Sequence, residues 1–98
     1  MKVMISQPMK GKTTEQIKEE RAELVKQLKE KGYEVLENIF EDFSNDKSPI
    51  YYLAKSIEIL DKADGIVFMD KWWEARGCRI EHEIASNYGK FILALDEE

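Results

Sequence analysis

Residues 65–69 (GIVFM) form an uninterrupted apolar run. A strand of that composition cannot turn one face to water, so something must cover it on both sides, as for an inner strand of a parallel sheet. Residues 91–95 (FILAL) have the same character, and residues 2–6 (KVMIS) and 33–36 (YEVL) are shorter β-compatible segments. The stretches between them carry helical signals. Thr13 and Gln16 have the spacing of a capping box, and Ile17, Leu24, Val25 and Leu28 follow at helical intervals. Glu15, Glu19 and Glu20 lie early in that stretch and Lys26, Lys29 and Lys31 late, which suits the helix dipole, with Gly32 as the stop.

Ser48-Pro49 predicts a second helix start, with Ile50, Leu53, Ala54, Ile57 and Leu60 as its buried stripe and an end near Ala63. A third helix is expected over residues 78–88, closed by Gly89. The order βαβαβαβ implies one α/β domain over residues 1–98. The expected architecture is three-layered and flavodoxin- or Rossmann-like, with a four-stranded parallel sheet ordered 2-1-3-4, right-handed crossovers and helices on both faces. Residues 37–47, polar with a few aromatics, are long for a βα connection, and such loops often act as lids or binding loops.

Composition narrows the function. At 98 residues there is room for one core, and a net charge of −5 argues against a nucleic-acid polymer as partner, which needs a basic footprint. It leaves open a small nucleotide held by a few backbone N–H groups. The single cysteine, Cys78, excludes an internal disulfide, and no Cys/His spacing suggests a metal; no cofactor is implied. No leader or apolar stretch of membrane-spanning length is evident, so no membrane partner is expected and the cytoplasm is the expected compartment.

In an open parallel sheet a ligand sits beyond the carboxyl ends of the strands where their order reverses, here between the first and third strands. The loops there are residues 7–12 and 70–77. The first contributes Gln7, Pro8, Met9 and Gly11, which can turn backbone N–H groups toward a ligand, although it lacks the glycines and closing GK[ST] of a P-loop. On the third helix Ile80, Glu81, Ile84, Ala85 and Tyr88 share one arc, with Glu81 near its middle. A carboxylate on an apolar stripe is costly unless it is paired or placed at a crevice. It is either an ion-pair partner of Arg76 or Arg79, a group at the margin of the core, or a catalytic or ligand-binding carboxylate. Asp70, directly after the buried strand, can grip a sugar hydroxyl or simply form a turn and cap the next helix. Trp73 and its neighbour Trp72 offer faces for a base or for an oligomer contact. His82 points to a different side of the helix and is expected mostly at the surface, and Cys78 reads as a packing residue.

The segment ARGCRIEHEIA, residues 75–85, resembles the G-[TVA]-x-x-E-x-x-x-A signature of the nucleoside 2-deoxyribosyltransferase family, which includes the 2′-deoxynucleoside 5′-monophosphate N-glycosidases. Gly77, Glu81 and Ala85 fall on its glycine, glutamate and alanine, and KVMISQPMKG is similar to the family's strand-and-loop opening. The likeness is closest to small bacterial and phage members with a tryptophan-containing turn before the glycine, here Trp72-Trp73-Glu74. It implies a homo-oligomer that acts on the N-glycosidic bond of a nucleoside or nucleotide. Glu81 would then be the nucleophile, Asp70 would hold a sugar hydroxyl or assist the leaving base, Arg76 and Gly77 would position sugar or phosphate, and a tryptophan would stack on the base. Two departures stand out: Glu83 replaces a common glycine, and the chain ends after Leu95-Asp96-Glu97-Glu98 where family enzymes continue into a fifth strand. The competing expectation is a non-catalytic module, possibly phage-encoded, that senses or sequesters a small signalling nucleotide. A structural or regulatory oligomer with a relict pocket is a third.

Overall fold

Alternation in the first strand sets the layers. The computed structural model describes residues 1–37 and 48–93. In β1 (Lys2–Ser6), Val3 and Ile5 face one way and Met4 and Ser6 the other, all four buried. Helix α1 (Thr14–Glu30) packs Leu28, Leu24 and Val25 onto the Val3 and Ile5 side. Helices α2 (Pro49–Lys62) and α3 (Arg76–Asn87) cover the Met4 side with Leu60, Ala63 and Ala85. Strands β2 (Glu34–Leu36), β3 (Gly65–Phe68) and β4 (Phe91–Leu93) complete an all-parallel sheet ordered β2-β1-β3-β4. The expected three-layer α/β architecture and strand order are therefore present. No helix among the described residues is long and apolar enough to cross a membrane.

Local chemistry explains the helix limits. The Thr13 hydroxyl accepts from the Gln16 N–H while the Gln16 side chain accepts from the Thr13 N–H, a complete capping box. Ser48 caps α2 with Pro49 in its first turn. At the other end of α2, Lys90 Nζ donates to the carbonyls of Asp61 (3.0 Å) and Ala63 (2.7 Å), satisfying acceptors that a helix end leaves open. Gly65 lets β4 approach closely, since a Cβ there would lie 3.1 Å from the Phe91 carbonyl oxygen.

Several sequence expectations need correction. Strands β2 and β3 are each one residue shorter than expected, and α3 begins two residues earlier, at Arg76. Ile50, in the first turn of α2, is 76% exposed, and Ala54 is also exposed, because Ser56 and Leu60 form the inward stripe instead. On α3 the inward residues are Cys78, Glu81 and Ala85, so the buried arc is turned by roughly 60° from the expected one at 3.6 residues per turn. That turn leaves Ile80 at the surface and Tyr88 78% exposed. Strand β4 is an edge strand, not a buried one: Phe91 (62%) and Ile92 are exposed and only Leu93 packs inward. Ala94 and Leu95, expected to extend it, lie outside the described residues, as does all of the 37–47 loop except Glu37.

This difference between inner and edge strand sets a stability test. Ile66→Ala, in the fully buried centre of β3, should cost about 2–5 kcal/mol in urea unfolding. Phe91→Ala should cost under about 1 kcal/mol. Equal losses would mean that β4 is as covered as β3.

Candidate functional site

Three elements meet where β1 ends. Ser6 and Phe68 are register partners on β1 and β3, so both side chains lie on the α2/α3 side of the sheet. The Ser6 hydroxyl donates to Glu81 Oε1 at 2.6 Å, joining the end of β1 to α3. Ser56, on the inward stripe of α2, is close enough to pull the Glu81 carboxyl toward its ionised form. Glu81 is only 6% exposed. Of its expected partners, Arg79 instead donates to the Trp73 carbonyl oxygen at 3.0 Å. Burial pushes the Glu81 carboxyl above its usual range, against the pull of the Ser6 and Ser56 hydroxyls and of the Arg21 charge.

The other side of β1 carries the matching cation. Gln7 is buried, and its side chain makes three contacts toward α1: Nε2 donates to the Ile17 carbonyl (3.0 Å) and to Glu20 (3.1 Å), and Oε1 accepts from Arg21 Nε (2.8 Å). Arg21 is buried and its Nη1 also reaches Glu37 at 3.4 Å. Among the described residues the buried polar side chains are Ser6, Gln7, Arg21, Ser56 and Glu81, and all five belong to this cluster. Buried polar groups persist where they find polar partners: Ser6 meets Glu81 on one face of the sheet, and Gln7 meets Arg21 on the other.

The remaining candidates surround it. The Met69 N–H donates to the Ser6 carbonyl and the Trp72 N–H to the Met69 carbonyl, closing a turn through Asp70 and Lys71. Asp70 is exposed at that turn and does not cap α3, whose N-cap is Ala75. Lys71 takes a left-handed backbone (φ 64°) that leads into a single 3₁₀ turn, Trp72–Glu74. Trp72 is half-buried: His82 stacks on it at 4.6 Å and 14°, and Phe68 packs on both rings. His82 is thus part of an aromatic cluster, not mostly at the surface as expected. Trp73, 52% exposed, is the tryptophan with a free face.

Pro8 and Met9 are half-buried, and Gly11 is exposed in a turn closed by the Lys12 N–H to the Met9 carbonyl. Arg76 is exposed at the first position of α3, and above Gly77 lies open space, with nothing within 4 Å of an added Cβ. Cys78 is buried beside Ser6 and Glu81. Burial pushes its thiol up and the Ser6 contact only partly offsets this, so it is a poor nucleophile.

Sequence reasoning missed Ser6, Ser56 and Arg21. The signal was available: Ser56 lies three residues after Leu53, and Arg21 four after Ile17, each on the stripe that marks the buried face.

The chain belongs to the family described as Domain of unknown function (DUF4406), whose profile matches residues 1–94. No curated protein and no solved structure matches it.

The raised Glu81 carboxyl has a consequence for stability. The native state binds the Glu81 proton more tightly than the unfolded chain, whose carboxyl titrates near 4.5. Stability therefore falls as pH rises from that value through the higher native one, and the cost of the buried charge is fully present above it. Glu81→Gln keeps an acceptor for Ser6 and removes the titration. Its urea midpoint should exceed that of wild type more at about pH 7 than at about pH 4. A constant difference would show that Glu81 does not titrate abnormally.

Proposed function

We propose that the protein acts on the N-glycosidic bond of a small nucleoside or nucleotide, with Glu81 as the group that meets the anomeric carbon. The observation that carries this reading is Glu81 itself, a buried carboxylate held at the carboxyl end of β1 by Ser6. Fold stability alone gives no reason to keep a group there whose burial opposes its charge. Functional sites are where such shifts concentrate.

In the proposed reaction the Glu81 carboxylate attacks C1′ as the C1′–N bond breaks. The bonding electrons leave with the base nitrogen, which takes up a proton. Water then attacks C1′ of the glycosyl ester and frees Glu81, or a second base takes the sugar instead. A carboxylate suits this work because it stabilises an oxocarbenium-like centre and then captures it. Asp70 would hold a sugar hydroxyl or assist the leaving base, and Trp73 would stack on the base. Gly77 leaves room for close approach at the start of α3, at a position where glycine costs about 1 kcal/mol relative to alanine. Lys10, Lys71 and Arg76 are exposed on the two crevice loops beside Asp70 and Glu74, individual cations that a phosphate on the ligand could meet. The likeness of residues 75–85 to the deoxyribosyltransferase signature agrees with this reading, and a homo-oligomer goes with it.

One observation favours a second reading, a nucleotide sensor or sponge without turnover. A buried carboxyl already engaged by Ser6 can serve as a fixed hydrogen-bonding group for a ligand without taking part in bond breaking. The test is mass spectrometry of the protein incubated with nucleosides, 2′-deoxynucleosides and their 5′-monophosphates. Glycosidic chemistry predicts free base with wild type and a loss of at least about 100-fold in Glu81→Gln. Retained ligand without free base, undiminished in the variant, would select the sensor and sink the enzyme.

A further inference from the structure

We propose that Arg21, on α1, is a positioning residue for Glu81, and that Gln7 is the link that aims it across the end of β1. The inference rests on reading Glu81 as the functional carboxylate. Ser6 and Gln7 are consecutive, yet their side chains serve opposite faces of the sheet: Ser6 holds Glu81 of α3, and Gln7 holds Arg21 of α1. One two-residue step of backbone thus carries a buried anion on one side and a buried cation on the other. Gln7 is itself fixed by the Ile17 carbonyl and by Glu20, whose second partner is Lys12 at 2.9 Å. Its oxygen is therefore turned toward Arg21 Nε.

The groups around Glu81 are few. The Ser6 hydroxyl of β1 meets it directly, the Ser56 hydroxyl of α2 and the Cys78 thiol of its own helix lie beside it, and Arg21 sits on the α1 side of β1, held by Gln7. Among the described residues Arg21 is the cation whose charge acts on Glu81, and it favours the ionised carboxylate that burial opposes. Glu37 shares the guanidinium but is largely exposed, so solvent screens its claim. A charge held at a distance behind the strand stabilises the carboxylate without occupying the side from which a substrate would come.

The test follows Glu81 directly, by ¹³C NMR of its carboxyl, assigned with Glu81→Gln, in wild type and in Arg21→Met. The Glu81 titration should move to higher pH in Arg21→Met. Activity should fall in kcat with KM little changed, most at low pH, and recover toward wild type as pH rises through the shifted Glu81 titration. Arg21→Lys, which keeps the charge, should restore most of the wild-type titration. An unmoved Glu81 titration in folded Arg21→Met would overturn the proposal, as would a uniform loss of activity at every pH. If Arg21→Met does not fold, Gln7→Met replaces it: the charge stays but loses its aim, Glu81 should shift the same way by less, and no shift overturns the proposal. The two claims fail separately, because a shift without turnover sinks the glycosidic reading alone and turnover without a shift sinks the Arg21 link alone.

Discussion

The hydrogen bond from Ser6 to Glu81 ties the site to the fold. It joins the last residue of the central strand to the middle of α3, at a place that strand pairing and apolar packing would otherwise fill. A carboxylate taken from water loses solvation that apolar neighbours cannot replace. The molecule offsets this with two hydroxyls on one face and a guanidinium on the other, each from a different element. The core therefore divides into apolar packing along most of the sheet and a polar network at its carboxyl end, where open parallel sheets receive ligands.

Much of this was legible in the sequence. The apolar run of β3 requires cover on both faces, and the capping signals at Thr13 and Ser48 locate two helix starts to the residue. Glu81 stood out as a carboxylate on an apolar arc. The arc itself was placed wrongly, because Ile80 and Tyr88 were counted as core by hydrophobicity when the small residues Cys78 and Ala85 face inward. Small residues allow α3 to lie close to the sheet, and close approach decides which side of a helix is buried. β4 was misjudged for a related reason: an apolar run cannot say whether a further strand lies beside it. Arg21 and Ser56 are polar residues at helical spacing from Ile17 and Leu53, and hydrophobicity alone assigns such residues to the surface.

Gln7 illustrates a different limit. Its place in the loop after β1 suggested a ligand contact, whereas all of its side-chain bonding is spent on α1 and Arg21. Sequence position brought it to the right end of the sheet but could not tell a residue that meets a ligand from one that holds the residue that does. His82 is similar, since helical geometry turns it away from Glu81 and only the fold of the Trp72–Glu74 turn brings a ring to stack on it. Membership in a family of undescribed function adds no chemistry to the account, so the functional reading stands on the cluster around Glu81.

The most direct measurement of that reading is covalent trapping. A 2′-fluoro-substituted deoxynucleoside monophosphate slows release of the glycosyl group by destabilising the oxocarbenium-like transition state, so an ester on the nucleophile accumulates. Intact mass should rise by one fluoroglycosyl group, and after trypsin the increment should lie on residues 80–90 (IEHEIASNYGK), with fragmentation placing it on Glu81 and not on Glu83. An adduct on another residue, or none with a compound whose unfluorinated parent is cleaved, would contradict the account.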